Sequence, residues 1–179
     1  MREIGSGSSG SPPERTALGV VTTVLRGDER HRDGVARVWA EAIAAREGVA
    51  DVPPLEAARP VVAEVLDRPG AVLVVALGDD GQVAAFALAE PLPPAAGQEA
   101  QAAEVRYVGA RPRLGRGVLR FLCAELAAAR FLDAFLLVYA DNTRASDLYE
   151  RLGWRPEGMP VPHPRTGRPE QRYRLRLPG

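Results

Sequence analysis

Two stretches of the chain carry residue types whose spacing could do chemistry. The first, LGRGV at 114–118, sets two glycines around an arginine. Glycines let a backbone approach a ligand closely, and the first turn of a helix offers unpaired N–H groups to an anion. The second, NTRASDLYERLGW at 142–154, places Tyr149 on one face of a short helix. Ala145, Leu148, Tyr149 and Leu152 fall at i, i+3, i+4 and i+7, which makes that face apolar. Asn142 or Thr143 suits the N-cap, and Gly153 suits the left-handed residue beyond the helix end. This accounts for the helix and leaves the Tyr149 phenol and the Asn142 amide without a specific task.

The elements that must position these residues can be read from pattern. GVVTTVLR (19–26) is expected to be a strand. Residues 33–46 and 59–70 are expected to be helices, the second with Pro60 in its first turn. AVLVVAL (71–77) and QVAAFALAE (82–90) form a hairpin across GDDG (78–81), and 91–103 is loop. EVRYVGA (104–110) reads as a strand, RPRLGRG (111–117) as a glycine-bearing loop and 118–130 as a helix. AFLLVYA (134–140) reads as a buried strand. After helix 142–152 come a short strand near Trp154 and a last strand, EQRYRLRL (170–177), that alternates strictly. The order β α α β β β α β α β β predicts an α/β fold with a mixed sheet and helices on both faces.

Composition narrows the function classes. The 179 residues suit one domain, assigned to 19–179, preceded by a Gly/Ser/Pro-rich flexible leader at 1–18. Basic and acidic residues balance at 23 each, so no global field steers the chain to nucleic acid or an anionic membrane. Every basic residue is arginine, in keeping with an Ala/Gly/Pro/Val-rich coding bias. Cys123 is the only cysteine, which excludes an intrachain disulfide and suggests a core thiol. No apolar run approaches a membrane span and no signal-peptide pattern is seen, so a cytoplasmic protein without membrane or nucleic-acid partners is expected. His31 and His163 lie in polar segments with no ligand-spaced cluster; both read as surface histidines, and no metal is implied.

Taken together, YVGARPRLGRGVLRFLCAEL (107–126) and LLVYADNTRASDLYERLGWRPEG (136–158) resemble the GCN5-related N-acetyltransferase (GNAT) family. The first is similar to its acetyl-CoA motif, Q/R-x-x-G-x-G/A, with Gly115, Arg116 and Gly117 on the G-R-G core. Leu114 stands where the family has Gln or Arg, and Leu119 where it has Gly or Ala, a bulky side chain expected to crowd the helix start. The second matches the A-x-x-LYE-x-LGF pattern at Asn142, Ala145, Leu148, Tyr149, Glu150, Leu152 and Gly153, with Trp154 for Phe. The resemblance implies a central, mostly antiparallel twisted sheet of six to seven strands. It also implies direct acetyl transfer from acetyl-CoA to a primary amine of a small molecule or peptide.

The resemblance further implies roles for individual residues. Val108, Gly109 and Ala110 would present backbone N–H groups to the developing oxyanion. Leu114, Gly115, Arg116, Gly117 and Val118 would hold the diphosphate, with Arg111 and Arg113 in reach. Asn142 would touch the pantetheine arm. Tyr149 would protonate the leaving thiolate, its alternative being a core aromatic, and Glu104 would take the amine proton, its alternative being a solvated carboxylate. The acceptor site would involve EGVADVPPLEAA (47–58) and GMPVPHPRTGRPEQ (158–171). The latter could frame an acidic substrate, pair strand edges in a homodimer, or be a stiff solvated loop, the simplest reading. A second reading of the whole chain is an acyl-CoA-binding module of this fold that does not turn over.

Overall fold

The computed structural model describes residues 23–93, 101–111 and 113–178. Strand β1 (Thr23–Arg26) and a single 3-10 turn at Glu29–His31 lead into helices α1 (Arg32–Glu47) and α2 (Leu55–Leu66). Strands β2 (Val72–Leu77), β3 (Val83–Pro91) and β4 (Ala102–Ala110) follow, then helix α3 (Gly115–Ala128) and strand β5 (Asp133–Tyr139). Helix α4 (Thr143–Arg151), strand β6 (Arg155–Pro162) and strand β7 (Pro169–Arg176) complete the chain. One seven-stranded sheet runs in the order β1-β2-β3-β4-β5-β7-β6, antiparallel throughout except for the parallel pair β4–β5. Among the described residues no helix is long and apolar enough to cross a membrane.

Strand alternation divides the core between the two faces. Val72, Val74, Ala85, Ala87, Val105, Leu136 and Tyr173 meet α3 and α4 through Leu119, Leu122, Leu126 and Tyr149. Leu73, Val75, Phe86 and Leu88 meet α1 and α2 through Val35, Val38, Val62 and Val65. Helices therefore cover both faces, as the pattern of elements predicts.

Four local readings are corrected. Helix α2 begins at Leu55, so Pro60 lies in its interior; the exposed Glu56 carbonyl it leaves unbonded can turn to water. Helix α3 begins at Gly115, three residues before the expected start, which brings the glycines of the loop into its first turn. The 158–171 segment is no free loop, because β6 extends to Pro162 and pairs with β7 around a short turn at 163–168. His31 and His163 are partly buried turn-formers: each Nδ1 accepts backbone N–H bonds, from Asp28 in one case and from Arg165 and Thr166 in the other. The expected strand residues 19–22 and most of loop 91–103 lie outside the described residues.

Candidate active site

The site is built where the sheet comes apart. β4 and β5 pair only from Ala102–Asp133 to Val105–Leu136. Beyond that, β4 continues to Ala110 against β3 alone, and β5 continues to Tyr139 against β7 alone. The two strands diverge because the β3–β4 register slips at one point: Val105 pairs with Ala89 and Tyr107 with Leu88, leaving Arg106 as an extra residue. Such a bulge bends its strand and increases the local twist. It also puts two consecutive side chains, Arg106 and Tyr107, on the α1/α2 face, where Tyr107 meets Trp39 edge to face at 6.1 Å between centroids.

Hydrogen-bond alternation fixes which amides face the opening. The Arg111 N–H donates to the Ala84 carbonyl at 3.0 Å, so 111, 109 and 107 are the residues turned towards β3. Val108 and Ala110 then direct their N–H groups into the opening, whereas the Gly109 amide is turned towards β3. Of the three expected donors, two remain.

At the end of β4 the chain enters α3 through Arg113, which holds a left-handed backbone at φ 74°. A non-glycine residue in that region carries strain of order 1 kcal/mol or more. Leu114 is the N-cap residue without a capping side chain, and its carbonyl accepts from the Gly117 and Val118 N–H groups. Among the described residues, the Gly115 and Arg116 N–H groups have no acceptor. Both glycines have helical, not left-handed, backbones. A Cβ at Gly115 would lie 3.6 Å from the Ala110 Cβ and the Leu148 Cδ2, and one at Gly117 would lie 3.8 Å from the Val24 Cγ2. Among the described residues no atom demands glycine at either place, though in a helix it costs up to about 1 kcal/mol relative to alanine.

Arg113, Arg116 and Arg120 ring this helix start, exposed and in no ion pair among the described residues. Arg111 is only weakly engaged, 3.9 Å from Glu41. Leu119 does not crowd the mouth. It is fully buried in the core under α3 with Leu122 and Leu126, and turning it outward would forfeit roughly 2 kcal/mol of burial. Val118 is likewise a core side chain, and Leu114 packs partly against the same core.

Helix α4 runs beside the start of α3, Leu148 reaching Gly115. Asn142 caps it, its Oδ1 accepting from the Ala145 N–H at 3.3 Å, and Gly153 leaves it at φ 91°. Tyr149 is 9% exposed and packs on Trp154 and Tyr173, each ring 6.1 Å away. Its hydroxyl makes no hydrogen bond to a described residue, and burial pushes the phenol up to about 12. It is thus a protonated donor with nothing yet to donate to. Glu104 lies on the other face of the sheet, its Oε2 accepting from Arg106 Nη1 at 3.1 Å. The structure therefore does not bring Tyr149 and Glu104 together; it sets them on opposite faces of the sheet.

Sequence reasoning missed several residues near the opening. Tyr139, at the end of β5, lies under Arg168, whose Cζ is 4.0 Å from the ring centroid, and near Arg46 of α1 at 5.2 Å. His163 packs edge on at 5.7 Å, so the β6–β7 turn is clasped to the end of α1 across this ring. Glu90 is the one buried charged residue among those described, and it faces Glu104 across the β3–β4 pair. A carboxylate ending the apolar run of β3 was the available signal. Its partner became visible only with the strand register.

A model of the acetyltransferase (GNAT) family matches residues 34–154. No curated protein matches the chain. Among solved structures, a candidate GNAT acetyltransferase from Desulfovibrio desulfuricans is 21% identical at a TM-score of 0.66, covering 88% of this chain and 99% of its own. A ribosomal-protein-alanine N-acetyltransferase from Brucella melitensis is 19% identical at 0.67, covering 87% and 99%. The candidate acetyltransferase yncA from Salmonella typhimurium, solved with its cofactor acetyl-CoA, is 17% identical at 0.66, covering 88% and 95%. At these identities the solved structures speak for the fold, whereas the family model covers most of the sequence. The divided sheet, the glycine-opened helix beside it and this match have one explanation: the chain belongs to the acetyltransferase (GNAT) family.

Proposed function

We propose that the protein is an N-acetyltransferase that moves an acetyl group from acetyl-CoA directly to a primary amine. The observation that carries this reading is the first turn of α3. Two glycines that no described contact requires stand there beside two N–H groups and three arginines without partners among the described residues. A diphosphate suits that arrangement, since it needs close backbone approach and matches amide and guanidinium donors. The acetyl-CoA held by a solved structure of the same fold supports the choice of ligand.

The chemistry then divides across the gap. The Gly115 and Arg116 amides and Arg113, Arg116 and Arg120 hold phosphate oxygens. Acetyl-CoA bound there supplies the activated acyl group. The Val108 and Ala110 N–H groups are aimed where negative charge develops on the thioester oxygen. Tyr149, protonated throughout the neutral range, donates to the departing sulfur from the α4 side. Glu104 accepts the amine proton on the α1/α2 side. Donor and acceptor on opposite faces suit a direct transfer through the opening, with both substrates bound at once. The acceptor is a small-molecule or peptide amine; an alanine of a ribosomal protein is what the name of the Brucella relative records.

One observation favours the second reading, a module that binds acyl-CoA without turnover. One oxygen of Glu104 is already occupied by the Arg106 guanidinium, which leaves a single carboxylate oxygen for an amine. Two measurements separate the readings: calorimetry with acetyl-CoA, and release of CoA thiol across a panel of amino acids and short peptides. Heat with thiol release is the expected result. Heat without release from any amine selects the binding module, and no heat from any coenzyme A derivative refutes both.

A further inference from the structure

Glu90 has no role in the chemistry so far, although its setting is unusual for a carboxylate. It is 4% exposed, at the end of a strand whose other residues are apolar. Burying a charge is unfavourable unless it is paired, and here the partners are two arginines. Arg68, just beyond α2, places Nη1 2.8 Å from Glu90 Oε2, while its Nη2 holds Glu64 Oε1 at 3.0 Å. Arg106 places Nε 3.4 Å from Glu90 Oε1 and gives Nη1 to Glu104 Oε2. Glu90 and Glu104 are themselves cross-strand partners. Arg106, the bulge residue, thus forms an ion pair at its Nε edge with one carboxylate while it hydrogen-bonds the other, and Glu90 Oε2 accepts no hydrogen bond among the described residues. The same four side chains line a cavity of about 370 Å³ bounded by Pro69 and Pro91 to Pro93.

We propose that Glu90 is a positioning residue that acts through Arg106 to hold the Glu104 carboxylate at the base of the strand opening. This rests on the reading of Glu104 as the group that takes the amine proton. Without Glu90, nothing else described within reach fixes the Arg106 Nε edge. The guanidinium is then free to turn wholly onto Glu104 and engage the oxygen needed for the amine. The cavity gives Glu104 a route to water on the side away from the opening, by which the accepted proton leaves. The charged groups that share the cavity with Glu104 are Arg68 from beyond α2, Glu90 from β3 and Arg106 from β4, and Glu64 pairs with Arg68. Two positions along β5 from Phe135, the partner of Glu104, is Asp133, with its own partners Arg174 and Arg176.

The arrangement has an electrostatic signature that a structural strut lacks. Glu90→Gln removes a like charge from beside Glu104, and Arg106→Gln removes an opposite one, so the two changes act on Glu104 in opposite senses. The test is the titration of the Glu104 side-chain carboxyl carbon by NMR, assigned by its loss in Glu104→Gln, in wild type and both variants. CoA release is measured alongside, with whichever peptide or amino-acid amine the wild type accepts. The expected result is a midpoint that moves down in Glu90→Gln and up in Arg106→Gln. Turnover in Glu90→Gln should fall about tenfold or more, with the KM for acetyl-CoA unchanged, and Glu90→Asp should recover part of the loss. Acetyl-CoA calorimetry on each variant confirms that it is folded. Midpoints that do not move, or move in the same direction, overturn the proposal, as does unchanged turnover in Glu90→Gln. Unchanged turnover in Glu104→Gln instead removes the assignment of Glu104 as the base. If the wild type accepts no amine, the titration alone decides whether Glu90 and Arg106 act on Glu104.

Discussion

Replacing Gly117 by valine separates a glycine kept for a ligand from one kept for the fold. A Cβ at this position meets nothing closer than the Val24 Cγ2 at 3.8 Å, an ordinary contact, and the residue is exposed. The fold should register the change as a surface substitution, within about 0.5 kcal/mol. For a chain of this size 1 kcal/mol corresponds to about 2–4 °C, so the melting temperature should move by no more than about 2 °C. Acetyl-CoA binding should respond very differently, because the branched side chain stands between the helix start and any phosphate. Losing one backbone hydrogen bond to a charged group costs about 1.5–3 kcal/mol. At 1.4 kcal/mol per decade this is a fall in affinity of about 10- to 100-fold. Gly109→Ala gives the opposite pattern at a glycine required by packing. Its Cβ would sit 2.5 Å from the Cε1 of Phe86, a ring that is fully buried and cannot move aside. Overpacking of that kind costs about 1–3 kcal/mol. Scanning calorimetry and titration calorimetry on the two variants make the comparison. Unchanged acetyl-CoA affinity in Gly117→Val would refute the reasoning and leave the α3 start as a mere turn.

Tyr149→Phe should lower turnover by about 100-fold or more while leaving acetyl-CoA affinity unchanged, since general acids contribute on that scale; equal turnover removes the role. The same variant should flatten the alkaline stability profile. A phenol raised from 10 to about 12 by burial contributes stability that is complete below pH 10 and is lost as pH rises towards 12. Urea melts between pH 9 and about 12 would show the wild type losing stability faster than the variant. Cys123, pushed up to about 11 by burial, should resist a thiol reagent at pH 8 in the folded protein and react on unfolding; rapid modification of the native state would contradict its placement. Trp154 is completely buried with its Nε1 donor unpaired among the described residues, so Trp154→Phe removes an unsatisfied group as well as packing and should cost within about 1 kcal/mol. Trp154→Ala, by contrast, should cost about 3–5 kcal/mol in a denaturant melt.

Legibility in the sequence followed the strength of local patterns. Helix α4 could be read almost to its ends because an apolar face, a capping Asn142 and a left-handed Gly153 agree with one another. The start of α3 was misplaced because Gly115 and Gly117 look like loop. In a first turn, however, several N–H groups lack helical partners anyway, and glycine there costs less than it would in mid-helix. A short strand near Trp154 is legible, but the reach of β6 to Pro162 is hidden for a different reason. Its residues are exposed and rich in proline, so no alternation marks it, and only pairing with β7 makes it a strand. Least legible of all was the opening itself. EVRYVGA is compatible with straight pairing, and nothing in its letters says that Arg106 is the residue left over. The approach of Glu90 to Glu104 depends on that register, so a carboxylate pair 14 positions apart in sequence could be found only once β3 and β4 were laid side by side.

β6 also bears on how this molecule behaves in company. It ends the sheet, and a terminal strand with a free row of amides is a template on which another polypeptide can grow. Here Pro156, Pro160 and Pro162 withhold three donors from eight residues, and an irregular step between Glu157 and Val161 breaks the line of those that remain. Such an edge offers no continuous register for recruitment into a growing fibril. Concentrated solutions should therefore stay free of cross-β polymer even though Met159 and Val161 face the solvent there.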